Sequence, residues 1–103
     1  MTSERTIYDD MVDNLENKIR QLNQNIKKLN EENTSLRKDI DATIKSMADT
    51  PWNEQAEARN DVRYYEGMIE INDKMIKMYQ TQIQDLQDDI QQAINLQKPE
   101  KNR

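Results

Sequence analysis

Leu15–Ile40 reads LENKIRQLNQNIKKLNEENTSLRKDI, and its spacing decides the fold. Leu15, Ile19, Leu22, Ile26 and Leu29, then Asn33, Leu36 and Ile40, recur in steps of four and three. In heptad notation the a positions are Val12, Ile19, Ile26, Asn33, Ile40 and Met47. The d positions are Tyr8, Leu15, Leu22, Leu29, Leu36 and Thr43. A stripe this narrow buries only the edge that faces a partner helix, which is the signature of a coiled coil.

A second heptad follows. Its a positions are Val62, Ile69, Ile76, Ile83 and Ile90; its d positions are Ala58, Tyr65, Asn72, Tyr79, Leu86 and Ala93. Between the two lies Ala48-Asp49-Thr50-Pro51-Trp52. Thr50 before Pro51 has the form of an N-cap with proline at the first helical position, and Glu54 falls where the helix dipole favours an acid. The expected order is helix 1 over about 4–48, a turn at 49–52, and helix 2 over about 53–96. Thr2 or Ser3 is placed to cap helix 1, and residues 98–103 form a charged tail expected to be disordered.

Each seam carries one polar interruption, Asn33 at a and Asn72 at d. Antiparallel helices pair a with d, and one register sets Leu36 against Ile69, Leu29 against Ile76 and Asn33 against Asn72. Sliding by a heptad would set Asn33 against Tyr65 and Asn72 against Ile26. An unpaired buried amide costs about 1–3 kcal/mol, so the matched register is favoured and the pair sets the alignment. The rival arrangement is a parallel two-stranded zipper through helix 1, with Asn33 facing its own copy and Glu32 reaching Arg37. The predicted fold is all-α: a long antiparallel coiled-coil hairpin, dimerising into an elongated four-helix bundle.

Composition limits the chemistry. The 103 residues are 34% hydrophobic and 34% charged, with one Gly, so thin seams between helices replace a thick core. There is no Cys and no His, which removes disulfides, the usual zinc ligand sets and histidine-based nucleophilic catalysis. Net charge is −5, and neither helical half has the basic stripe that nucleic-acid binding needs. No apolar run is long enough to span a membrane, and MTSERTIYDD lacks the order of a signal peptide, so a cytoplasmic location is expected. Acidic clusters at Glu66, Glu70 and Asp73, and at Asp85, Asp88 and Asp89, read as solvated faces rather than metal or acid–base sites. No cofactor, metal or small-molecule ligand is expected, and no catalysis.

One further feature points to function. Tyr64, Met68, Ile71, Met75 and Met78 recur at four, three, four and three. They span an arc of about 80°, centred roughly 110° from the seam. Gly67 lies at the edge of this stripe, where a missing side chain would let another helix approach. Methionine suits adaptable contact surfaces. The stripe is expected to form a homodimer interface or a docking surface for another protein. Trp52 at the tip is expected to staple the turn onto Met47 or Ala56, with a partner contact as the alternative.

Asp49-Thr50-Pro51, Glu57-Ala58-Arg59 and Val62 resemble the inter-helix region of prefoldin β-type subunits. Those subunits carry a β-hairpin there, and this chain has none with which to build the family's β-barrel platform. A tryptophan at the turn is also similar to the secreted Trp-X-Gly family, yet Trp52-Asn53-Glu54 has no Gly. The functional expectation is therefore a non-catalytic protein–protein interaction module acting as scaffold, adaptor or assembly factor. The alternatives are a small coiled-coil inhibitor, of a kind that includes viral ones, and a prefoldin-like holdase chaperone.

Overall fold

The computed structural model describes residues 7–97. The capping role of Thr2 or Ser3 and the tail at 98–103 lie outside the described residues. Two long helices, α1 (Ile7–Met47) and α2 (Ala56–Gln97), are joined through a short 3-10 turn at Trp52–Glu54. They pack against each other antiparallel, so the seam of α1 is covered by the same chain. Two compact units share these helices: residues 26–77, and residues 7–25 with 78–97.

In the 26–77 unit the heptad positions are the ones withdrawn from water. Leu36 is 7% exposed and Ile76 9%, while Ile26, Leu29, Ile40, Val62, Tyr65 and Ile69 are half-buried. Two helices alone bury only one edge each, which is why so few side chains are fully covered. Fully burying a leucine or isoleucine is worth roughly 1.5–3 kcal/mol, so Leu36 and Ile76 anchor this unit. Thr43, a poor seam residue by polarity, donates its hydroxyl to the Asp39 carbonyl at 2.8 Å, so its O–H is not left unpaired.

The polar layer sits among these apolar ones. Asn72 Nδ2 donates to Asn33 Oδ1 at 2.9 Å, and Asn33 Nδ2 donates to Asp73 Oδ1 at 3.0 Å. Asn33 is 1% exposed and Asn72 6%. Among the described residues, no buried side-chain nitrogen or oxygen lacks a hydrogen-bond partner. The layer therefore avoids the penalty of about 1–3 kcal/mol that an orphaned amide would carry.

The reversal differs from the sequence expectation. Helix α2 begins at Ala56, later than about 53. Pro51 adopts φ −57° and ψ 146°, an extended conformation that leads into the 3-10 turn rather than opening a helix. Thr50 does not cap α2; its hydroxyl donates backwards to the Ser46 carbonyl at 3.0 Å. The physical reason is that the reversal is tied from both sides: Thr50 N already donates to the Met47 carbonyl at 3.0 Å. The Gln55 side chain adds bonds to the carbonyls of Met47 at 2.9 Å and Thr50 at 2.8 Å. Gln55 can do this only from outside the helix, and its own carbonyl then accepts the first α2 bond, from Arg59 N at 2.9 Å.

In the other unit, Lys18, Leu22 and Asn25 of α1 line a shallow groove with Gln82, Asp85 and Leu86 of α2. Met11 and Leu15 line a second with Ala93 and Leu96. Ascending numbers on one helix meet descending numbers on the other, so the packing here is antiparallel as well. Ala93, 2% exposed, is the buried apolar residue of this unit.

Candidate interaction surface

The candidate surface lies on α2 in the 26–77 unit and is made of Tyr64, Gly67, Met68, Ile71 and Met75. Two kinds of position alternate along it. Met68 and Met75 occupy g positions, about 60° around the helix from d, and Tyr64 and Ile71 occupy c positions, about 100° from d. The difference shows in exposure: Tyr64 is 64% and Ile71 59% exposed, whereas Met68 and Met75 are half-buried. The methionines bridge seam and surface, and the tyrosine and isoleucine stand outermost.

Tyr64 is held by its neighbour. Its ring meets that of Tyr65, a seam residue, edge to face with centroids 6.0 Å apart and planes at 61°. Such pairs contribute about 0.5–1.5 kcal/mol beyond area burial. Gly67 has negative φ, and a Cβ built there would meet nothing within 4 Å. Neither the backbone nor internal packing therefore demands glycine, and the space beside it is open. On the same flank Lys74 pairs with Glu70 at 3.4 Å, both being well exposed.

Met78, the last residue of the stripe read from sequence, belongs to the α2 portion of the other unit and is 51% exposed. In α1 the 26–77 unit exposes a single large apolar side chain, Ile44, at 51%, off the seam at an e position that the periodicity does not single out. In the other unit, Ile7, Met11 and Leu96 are exposed apolar residues that lie outside that stripe.

Trp52 is 73% exposed, and so is no buried staple of the tip. The Arg59 guanidinium carbon lies 4.2 Å from the centroid of its ring. A cation over an indole face is worth about 0.5–1 kcal/mol at an exposed site, enough to orient the ring while leaving most of it in water. Arg59 lies in the first turn of α2, and Trp52 opens the 3-10 turn just before it.

Three members of the acidic clusters have ordinary structural partners. Asp73 accepts from Asn33, Glu70 pairs with Lys74, and Asp88 accepts from Gln84 at 3.1 Å. Among the described residues no His, Cys, Asp or Glu side chains are grouped so as to hold a metal ion. No described helix is long and apolar enough to cross a membrane. No family model, curated protein or solved structure matches the chain.

Proposed function

We propose that this chain is a non-catalytic protein–protein interaction module, a coiled-coil scaffold or adaptor that binds through the Tyr64–Met75 face of α2. The observation that carries the reading is the exposure of Tyr64 and Ile71 beside half-buried Met68 and Met75. An apolar strip of this kind costs solubility unless another surface covers it, and strips rimmed by polar residues mark interaction sites. The rim here is polar: Glu70 and Lys74 on one flank, Glu57 and Asp61 at the N-terminal end, all exposed. Methionine and tyrosine supply adaptable and amphipathic contacts respectively.

The test is a photo-crosslinking residue placed at Ile71 in cells that make the protein, with the same probe at Lys38 on the outer face of α1 as control. Protein adducts at position 71 and none at 38 are expected. Adducts of one defined mass fit a scaffold, adaptor or inhibitor, whereas a smear of unrelated masses would move the reading to a holdase. Absence of any protein adduct at 71 would overturn it.

A further inference from the structure

We infer that the occupant of this face is a second copy of the chain, whose own α2 lies antiparallel across it so that Met68 of each copy packs on Ile71 of the other. The inference rests on the interaction-module reading and names the partner.

The first argument is the thinness of the core. Leu36 and Ile76 are the buried apolar residues of the 26–77 unit, and the rest of its seam is only half-covered. A small scaffold with so little interior needs a further apolar layer, and association is a usual way to gain one. The chain itself carries a stripe of the right period to supply it.

The second argument is that the stripe is complementary to itself. Residues 64, 68, 71 and 75 step by four, three and four, so they form a secondary heptad stripe of their own. Two antiparallel copies pair one kind of position with the other, and the possible offsets differ by a heptad. One offset sets Met68 against Ile71 and Tyr64 against Met75, a sulfur–aromatic contact of the favourable kind. It also sets Lys74 beside Gly67 of the other copy, where the open space accepts the lysine's aliphatic stem while its ammonium stays in water. The next offset sets Met75 against Ile71 and brings Lys74 against Lys74 of the other copy, two like charges at one flank. Charge and the glycine gap both select the first.

The purified chain carries no cysteine, so introduced cysteines report pairing without background. By multi-angle light scattering over a wide concentration range, the expected mass is twice that of one chain. It should halve for Ile71→Glu and stay unchanged for Ile44→Glu, an exposed apolar site off the stripe. Mixing Met68→Cys chains with Ile71→Cys chains under air oxidation should trap a crossed disulfide dimer, and mixing Met75→Cys with Ile71→Cys should not. If Ile71→Glu fails to fold, as judged by circular dichroism, the cysteine mixtures decide alone. A single-chain mass at every concentration, a dimer indifferent to a folded Ile71→Glu, or a crossed product only from the Met75 mixture would each overturn the inference. A single-chain mass together with a foreign adduct at position 71 would end this inference and leave the interaction-module reading standing. Loss of every adduct would end both.

Discussion

Asn72 gives one side-chain hydrogen to Asn33, and Asn33 gives one of its own to Asp73, so a three-residue relay crosses the hairpin from seam to surface. Asn33→Leu removes both the acceptor of Asn72 and the donor to Asp73. It leaves Asn72 buried without its partner, and unfolding stability should fall by about 1–3 kcal/mol in spite of the added apolar surface. The double variant Asn33→Leu with Asn72→Leu should recover most or all of that loss, because an apolar pair of similar volume has no amide to satisfy. Urea titrations of the four chains, arranged as a double-mutant cycle, measure the coupling. Additive losses would contradict the relay.

Asp73 belongs to a cluster that looks solvated in sequence, yet it is the acceptor for a donor that is almost wholly buried. Asp73→Ala should destabilise by about 1 kcal/mol, because the Asn33 amide loses its acceptor. Asp88→Ala, which removes only an exposed i,i+4 contact with Gln84, should stay within about 0.5 kcal/mol of the parent. Equal effects in thermal melts would place Asp73 outside the relay.

In the Ile71→Glu background, where no second copy covers the face, Gly67→Ala should stabilise the chain by about 0.5–1 kcal/mol. Its φ is negative and the new methyl group meets nothing within 4 Å, so the gain in helix propensity comes without a clash. Thermal denaturation followed by circular dichroism reads the change. A loss would show that something approaches Gly67 more closely than the open flank allows.

Gln55→Ala should cost about 1 kcal/mol, because the Thr50 carbonyl loses its side-chain donor while the Met47 carbonyl keeps its bond from Thr50 N. Trp52→Ala, by contrast, should lower stability by no more than about 1 kcal/mol, since the ring keeps most of its surface in water and only Arg59 stacks on it. Arg59→Ala should shift the tryptophan emission while leaving the melting curve nearly in place. A large stability loss from Trp52→Ala would mean that the indole holds the tip after all.

The seam was legible because helical geometry leaves little choice. Once residues recur at three and four, the a and d side chains must share an edge, and every such position from Tyr8 to Met47 and from Ala58 to Ala93 is buried or half-buried. The same geometry, pushed to a finer grain, separates Met68 and Met75 from Tyr64 and Ile71, a distinction that reading all as one stripe misses. The contacts that escaped the sequence are polar and local to geometry. Gln55 reaches back over the turn from just outside α2, which starts at Ala56, and Arg59 in the first turn of α2 stacks on Trp52. Asp73 sits at an e position, where a side chain may lean into the seam or away from it, and only the presence of the Asn33 amide decides which. Periodicity carries no information about such choices.

The Gln55 bridge also sets an order of events. Its contact with Met47 closes a loop of eight residues, whereas Asn33 and Asn72 are separated by 39. Closing the longer loop unaided costs about 1.4 kcal/mol more in chain entropy, so folding should begin at the tip and zip away from it. The amide layer is then met midway by helices already travelling together. An offset strand of helix arriving there finds an amide facing an apolar side chain and must back out, so the layer proofreads alignment during folding as well as holding it afterwards. Transition-state φ-values should accordingly be high for substitutions near Met47 and Ala58 and lower at Asn33 and Asn72; the reverse pattern would show that the zipper starts elsewhere.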